Sequence, residues 1–251
     1  MSANPRETVQ STVQAAVRAL AILDVFTVEE PHLGLSEIGR RIGLPKATAL
    51  RLLKTLAASG YVAQNDDSEW RLGPATASLG ARYQVSFDIR ANVEPALRKL
   101  SDATGQDASF FVQDGNRRVR LVKVMCPDAQ HSTARVGESM PLDQGAAGKV
   151  MLAALGQRGE LYDQIRARGY HVTVGEAKRT SASIAVPVFG SRWRVVGALC
   201  IGTPAGSDAE AKLTRFAGRL KRAAESLSAA LSYDDDVATR RLTAARSTWH
   251  P

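Results

Sequence analysis

The chain has 251 residues, of which 44% are hydrophobic and 23% charged, so it can bury one large core or two modest ones. Its longest apolar runs fall well short of the roughly 20 residues that cross a bilayer, so we expect a cytoplasmic protein with no membrane partner. Its two cysteines, Cys126 and Cys200, form no CxxC pair and lie near no histidine at ligand spacing. We therefore expect neither a metal site nor a cofactor.

The net charge of +8 is compatible with nucleic-acid binding but does not locate it. Residues 1–75 hold eight Lys/Arg and eight Asp/Glu, whereas the remaining residues hold 25 and 17. A local pattern is more informative, because the segment from Ile38 to Asn65 contains five cations and no acidic residue. These cations are Arg40, Arg41, Lys46, Arg51 and Lys54.

Three helices are predicted before residue 60. Apolar residues at helical spacing predict the first from Val13 to Phe26, with Val13, Val17, Leu20 and Leu23 as the repeating positions. A second, short helix is indicated by Ser36 as its N-cap and by Gly43 just past its end. The third has Pro45 in its first turn and runs to Gly60. Its apolar face consists of Ala49, Leu52, Leu53 and Leu56.

The third helix has a cationic outer face. Lys46, Ala47, Leu50, Arg51 and Lys54 are predicted to point outward, with Thr48 at the margin. Two short helices joined by a Gly-containing turn, followed by a hairpin of Tyr61–Gln64 and Trp70–Leu72, are typical of a winged helix-turn-helix. The alternative is a small helical bundle with a solvated cationic face. The agreeing signals favour DNA binding, through Arg40, Lys46, Ala47, Thr48, Leu50, Arg51 and Lys54.

The expected domain order is a tail (1–11), the winged helix-turn-helix (12–74), a linker helix (75–88), a second domain (89–232) and a disordered tail (233–251). The second domain is predicted as α+β, an antiparallel sheet flanked by helices. Its predicted strands are Ala108–Gln113, Val119–Val124, Ser132–Val136, Ala182–Phe189 and Val195–Gly202. Its predicted helices are a segment closed by Gly105, Ala146–Leu155, Glu160–Arg168, and one opened by a capping box at Ser207–Glu210 that carries Leu213, Phe216, Leu220 and Leu227.

The chain resembles the IclR-type regulators over residues 12 to about 232. The matching segments are Leu35–Thr48, Arg51–Leu53, Gly60–Val62, Arg71–Pro74, Arg135–Gly137, Pro141–Leu142, Gly148–Lys149, Ala185–Val188 and Val195–Leu199. The resemblance implies a bacterial cytoplasmic repressor or activator that forms dimers or dimer-built tetramers. It also implies a GAF-like C-terminal domain that binds a small metabolite, often an organic acid or an aromatic compound.

By the same resemblance, the effector pocket lies over the sheet, between the loop at Leu142–Gly145 and the two late strands. The implied effector-binding residues are Asp143, Gln144, Gly145, Ala146, Thr173, Ser183, Cys200 and Gly202. Cys200 and Gly202 stand where the family has serines, which removes donors and leaves room for a ligand with an apolar or aromatic body, such as a carboxylate. Alternatively, Cys200 is a buried small hydrophobe, and Asp143 and Gln144 belong to a solvated loop.

The sequence therefore predicts a regulator that binds palindromic operator DNA and responds to a small molecule, a repressor rather than an activator. An enzyme is disfavoured because neither a GxGxxG nor a GxxxxGK[ST] phosphate-binding motif occurs. The cysteines and the scattered histidines also lack an activating context. A third class, a DNA-binding architectural protein without effector control, would be distinguished by DNA binding that no ligand changes.

Overall fold

The computed structural model describes residues 13–86, 89–127 and 134–231. The chain divides into two compact units, residues 1–83 and 84–251. The expectations for tails at 1–11 and 233–251 lie outside the described residues, and the predicted linker helix at 75–88 lies partly outside them. No helix in the described ranges is both long and apolar enough to cross a bilayer.

The first unit is a winged helix-turn-helix, as predicted. Its helices are α1 (Gln14–Asp24), α2 (Leu35–Arg41), α3 (Lys46–Ala58) and α4 (Pro74–Ser86), whose last three residues belong to the second unit. Its wing is an antiparallel pair, β1 (Val62–Gln64) and β2 (Trp70–Leu72), and Leu33 adds an isolated bridge to Trp70.

Every helix and strand of the first unit before α4 contributes at least one buried side chain to its core. Ile22, Ile38, Leu53 and Trp70 are nearly fully buried there. The predicted apolar face of α3 is confirmed, because Ala49 and Leu53 are buried, and Leu52 and Leu56 pack partly against the same core.

Helix α1 differs from its predicted pattern. Ile22 faces the core, whereas Val13, Val17 and Leu20 are 70%, 48% and 62% exposed.

The helix-turn-helix depends on close backbone packing at Gly39. A Cβ on Gly39 would lie 2.9 Å from the carbonyl oxygen of Leu44, so only glycine lets the chain fold back here without a shift. Gly43 follows the end of α2 with φ +65°, as its predicted position requires. The predicted cap at Ser36 was wrong, because α2 starts two residues earlier than that cap implies, at Leu35, with Gly34 as its N-cap. Pro45 is the N-cap of α3 rather than part of its first turn.

The second unit is an α+β domain built on a six-stranded antiparallel sheet. Its strands are β3 (Asp107–Asp114), β4 (Arg117–Val124), β5 (Ser139–Pro141), β6 (His171–Val174), β7 (Ser181–Phe189) and β8 (Val195–Pro204), in the spatial order β5-β4-β3-β8-β7-β6. Its helices are α5 (Glu94–Thr104), α6 (Gly145–Ala154), α7 (Glu160–Arg168), α8 (Ala209–Thr214) and α9 (217–231). A π-helical turn, Ile89–Val93, precedes α5.

The two faces of the sheet carry different layers. Phe110, Ile184 and Leu199 point to a large core shared with α5, α8 and α9. Phe111 and Cys200, one residue away along their strands, point to a second core shared with α6 and α7. Helices therefore cover both faces, as the predicted fold class requires.

Four local features of the second unit differ from the predictions. The strand predicted at Ser132–Val136 is absent from the described part of that range, residues 134–136, and the pairing with β4 is made instead by Ser139–Pro141. Strand β6 was missed, because four residues after the helix-ending Gly169 give too short a pattern. The capping box at Ser207–Glu210 does not form, since Asp208 is the N-cap of α8 and makes no side-chain cap bond. The predicted last helix is interrupted at residues 215–216, although its apolar face still packs on one core.

Candidate DNA-binding surface and effector cavity

The outer face of α3 presents most of the residues that the sequence placed there. Lys46, Ala47, Arg51 and Lys54 are exposed, and Thr48 is half-buried, as expected for a marginal position. Leu50 differs from the prediction, because it is half-buried and packs against the core of the first unit. The outward face is thus more cationic and less apolar than its sequence indicated.

Two of the five cations in the acid-free segment have carboxylate partners from outside that segment. Glu37 lies 2.6 Å from Arg40 and 2.6 Å from Arg41, and Glu30 lies 2.8 Å from Arg41. Hydrogen bonds from Arg40 and then Arg41 lower the pKa of Glu37 to about 2, so this carboxylate stays ionised at neutral pH. Arg41 also donates to the carbonyl of Val25, so it ties α2 to the end of α1.

The remaining three cations, Lys46, Arg51 and Lys54, make no ion pair within the part of the chain that the structure describes. The wing adds little positive charge to them, because Asp66 and Asp67 lie at its tip. The net cationic surface of this unit is therefore α3 itself. An exposed helix of this charge can contact the phosphates and base edges of a DNA groove.

A cavity of about 680 Å³ lies in the second unit, against the sheet face that α6 covers. Four of the predicted effector residues line it: Ala146, Ser183, Cys200 and Gly202. The strand register explains why they meet, because Ser183 pairs with Gly202 on β7 and β8, and Cys200 pairs with Ser109 on β8 and β3. The volume is in the range of small-molecule sites.

The other four predicted effector residues are not part of the cavity wall. Asp143 and Gln144 are exposed just before α6, as the solvated-loop alternative expected for their side chains. Gly145 is buried and does not line the cavity. Thr173 is also buried, where its Oγ1 accepts a hydrogen bond from the backbone N–H of Ala146 at 3.1 Å and lies 3.3 Å from the Ser183 Oγ. Thr173 therefore supports the start of α6 and one wall residue.

Two arginines that sequence reasoning missed, Arg118 and Arg120, lie on β4 and line the cavity. Their guanidinium carbons lie 5.5 Å and 4.6 Å from the ring centre of Phe111, which also lines it. Arg120 donates to the Ser109 Oγ at 2.6 Å. The alternating Arg118-Val119-Arg120 pattern was a usable signal, but a half-polar strand is ordinarily interpreted as having one solvated face.

A bulge in β4 brings a third cation to the same face. The register between β3 and β4 shifts at Phe110 and Phe111, which leaves Leu121 as an extra residue. Lys123 consequently lines the cavity with the arginines despite its odd spacing from them, and pairs with Asp107 at 3.0 Å.

Around Arg118 and Arg120, the cavity wall carries more positive than negative charge. Glu138 lies 3.3 Å from Arg120 and 2.5 Å from Lys178. Burial opposes the ionisation of Glu138, but its hydrogen bond from Lys178 and the charges of both cations outweigh this and lower its pKa. Arg118, 2% exposed, has no carboxylate ion pair within the described ranges, and burial lowers its pKa. Burial also raises the pKa of the Cys200 thiol, which is therefore neutral.

Comparison with known proteins establishes the class. Residues 15–66 match the IclR helix-turn-helix domain, and residues 81–162 and 158–229 match the family described as bacterial transcriptional regulator IclR C-terminal. The chain thus belongs to the IclR family of transcription regulators. Among curated relatives, it is 32% identical over 247 residues to the HTH-type transcriptional regulator XynR of Escherichia coli (strain K12), covering 88% of this chain and 98% of that protein.

Solved structures agree with the fold. An IclR transcriptional regulator from Alicyclobacillus acidocaldarius has a TM-score of 0.77 at 24% identity, covering 88% of this chain and 100% of that one. An IclR homologue from Microbacterium hydrocarbonoxydans, complexed with 4-hydroxybenzoate, has a TM-score of 0.70 at 22% identity, covering 86% of this chain and 98% of that one.

Proposed function

We propose that this regulator binds palindromic operator DNA as a homodimer, with α3 of each protomer in a major groove. The observation that carries the proposal is the exposed face of α3, where Lys46, Arg51 and Lys54 lack carboxylate partners in the described structure. Arg51 lies at the centre of this face and is proposed to read base edges, with Lys46 and Lys54 on phosphates. Ala47 is small enough to contact a thymine methyl group.

The exposed apolar residues of the first unit support a dimer. Val13, the N-cap of α1, is followed at helical spacing by Val17 and Leu20 on that helix, and Leu79 and Tyr83 are 52% and 42% exposed on α4. A contiguous exposed apolar stripe is typical of a protein interface. Two recognition helices related by a dyad would read two half-sites, which one short helix cannot do. A dimer of dimers is a further assembly that the family resemblance implies.

The second unit is proposed to bind a small-molecule effector in its cavity and to release it unchanged. A protein of the same fold is complexed with 4-hydroxybenzoate, and the cavity here has room for a ligand of that size. We propose that the effector changes operator affinity, in a cytoplasmic protein that acts as a repressor. Regulation requires that ligand and operator favour different conformations, so each must change the affinity of the other by the same factor.

The DNA-binding proposal is tested by selecting an operator from random duplexes with the full chain and then measuring its affinity by fluorescence anisotropy. Arg51→Ala should weaken operator binding by about 1–3 kcal/mol and relax the preference at one base pair of each half-site. The control is Arg98→Ala, because Arg98 is an exposed arginine paired with Glu94 in the other unit. Operator affinity and selectivity in Arg51→Ala equal to those of the wild type would contradict the proposal.

The regulatory proposal is tested by titrating operator in the presence of each ligand that a thermal-shift screen identifies. A ligand that changes operator affinity without being consumed supports a regulator. Turnover of the ligand would indicate an enzyme. Operator binding that no ligand changes would indicate the architectural alternative.

A further inference from the structure

Two guanidinium groups in the effector cavity, those of the buried Arg118 and the half-buried Arg120, have unused donors. Arg118 uses Nη1 for the carbonyl oxygens of Pro141 and Gln144, but Nη2 meets only the Met140 sulfur at 3.5 Å. The buried Nε atoms of Arg118 and Arg120 have no hydrogen-bond partner in the described structure. Native proteins rarely bury a charged donor in this way without a functional reason.

The same end of the cavity has more positive than negative charge. Arg118, Arg120 and Lys178 all line it, and within the described ranges Glu138 is the carboxylate that pairs with any of the three. Burying a cation without a counter-charge is costly. An anion in the cavity would remove that cost, so the wall selects for negative charge.

We propose that Arg118 and Arg120 form the anion-binding end of the effector cavity and that the effector is a carboxylate whose apolar body lies against Phe111 and Cys200. This inference rests on the proposed effector function. The Nε and Nη2 atoms lie on one edge of a planar guanidinium, which is the edge that binds a carboxylate through two parallel hydrogen bonds. A thioether is a weak acceptor, so a carboxylate displaces Met140 from the Arg118 Nη2 at little cost.

Glu138 is the internal carboxylate with which the effector competes. Its 3.3 Å contact with Arg120 is long, and its 2.5 Å contact with Lys178 is short, so Arg120 is the cation it holds less tightly. An arriving carboxylate can therefore bind Arg120 while Glu138 keeps Lys178. Removing the charge of Glu138 should then strengthen effector binding.

The glycines at the start of α6 give Arg118 its space. A Cβ on Gly145 would lie 3.1 Å from Arg118 Nη2, and a Cβ on Gly148 would lie 3.1 Å from Nη1 and 1.9 Å from the carbonyl oxygen of Leu142. The guanidinium thus packs directly against the first turn of α6. A purely structural role, with Phe111 and the two carbonyls holding the arginines, is the competing interpretation.

The test compares carboxylates with their neutral amides on the full chain by isothermal titration calorimetry. The probes are benzoate, cyclohexanecarboxylate and acetate, each paired with its amide. At least one carboxylate should bind at least about 10-fold tighter than its amide, and Arg118→Gln should weaken that carboxylate by about 10- to 100-fold. Arg117→Gln is the matched control, because Arg117 precedes Arg118 on β4 but is exposed and donates to Ser139.

Two further variants keep the test decisive if Arg118→Gln does not fold. Arg118→Lys keeps the charge but loses the two-donor edge, so carboxylate binding should weaken by about 5-fold or more. Glu138→Gln should strengthen it by about 3-fold or more. No binding of any carboxylate to the wild type, equal binding of the amides, or unchanged affinity in Glu138→Gln would overturn the inference.

Operator titrations separate this inference from the proposed function. An amide that binds and changes operator affinity as strongly as its carboxylate leaves the effector function standing and overturns the anion assignment. A carboxylate that binds through Arg118 without changing operator affinity supports the anion site and contradicts effector control.

Discussion

Lys54→Ala should flatten the salt dependence of operator binding by an amount that the charge pattern of α3 sets. Lys46 and Lys54 are exposed and have no carboxylate partner in the described structure, so a dimer would neutralise about four phosphates with them. The slope of log K against log salt concentration should then be about −3.6, and Lys54→Ala should reduce it to about −1.8. Raising salt from about 50 to 200 mM should weaken the wild type about 150-fold and the variant about 12-fold.

Arg40→Ala provides the comparison, because it also removes one cation near α3. Glu37 lies 2.6 Å from Arg40 and already neutralises its charge. Removing Arg40 should therefore change the slope by less than half as much as Lys54→Ala does. Fluorescence anisotropy with one operator duplex across the salt series measures all three slopes. An unchanged slope in Lys54→Ala, or equal changes in both variants, would refute the argument that unpaired cations carry the electrostatic part of binding.

Three other changes test the rest of the molecule. Leu20→Glu places a charge in the exposed apolar stripe of α1 and should shift the protein to monomers in sedimentation velocity; an unchanged dimer would exclude this stripe as the interface. Gly202→Leu should abolish effector binding but not operator binding, because an added Cβ meets only the Ala182 carbonyl at 3.9 Å and the side chain can fill the cavity. His171→Gln should flatten the pH dependence of unfolding between pH 6.5 and 4. Burial, then Lys149 and Arg168, lower the pKa of His171 to about 4, so the unfolded state binds the proton first and stability falls as pH falls; equal pH profiles would contradict this.

The winged helix-turn-helix could be predicted because its signals are local. The apolar spacing of α3, the glycine after α2 and the wing turn each act within a few residues, and each was found in the structure. The helix starts were less predictable. Ser36 is a favourable cap residue, yet Gly34 is the N-cap and no side chain caps α2, because a cap residue favours a helix start without fixing its position to within two residues.

The candidate effector cavity was only half predictable, because its polar wall depends on sheet order. Ser183 and Gly202 pair across neighbouring strands that are also close in sequence. Arg118 and Arg120 lie on a strand far from these in the chain, and only the order β4-β3-β8 places all of them over one face. The bulge that turns Lys123 to the same face leaves no mark in the residue pattern.

Both proposed sites contain more cations than carboxylate partners, and the burial of the unpaired cations decides which anion each site suits. The α3 cations are exposed, so they remain hydrated and are screened by salt, which suits them to a polyanion that gains from counterion release. Arg118 is 2% exposed, so a large hydrated phosphate backbone cannot reach it, and a small anion must lose its water to bind. The free energy of this lost hydration is offset only if the guanidinium offers paired donors and the rest of the ligand is apolar. The same residue chemistry can therefore serve DNA binding in one unit and recognition of a small carboxylate in the other.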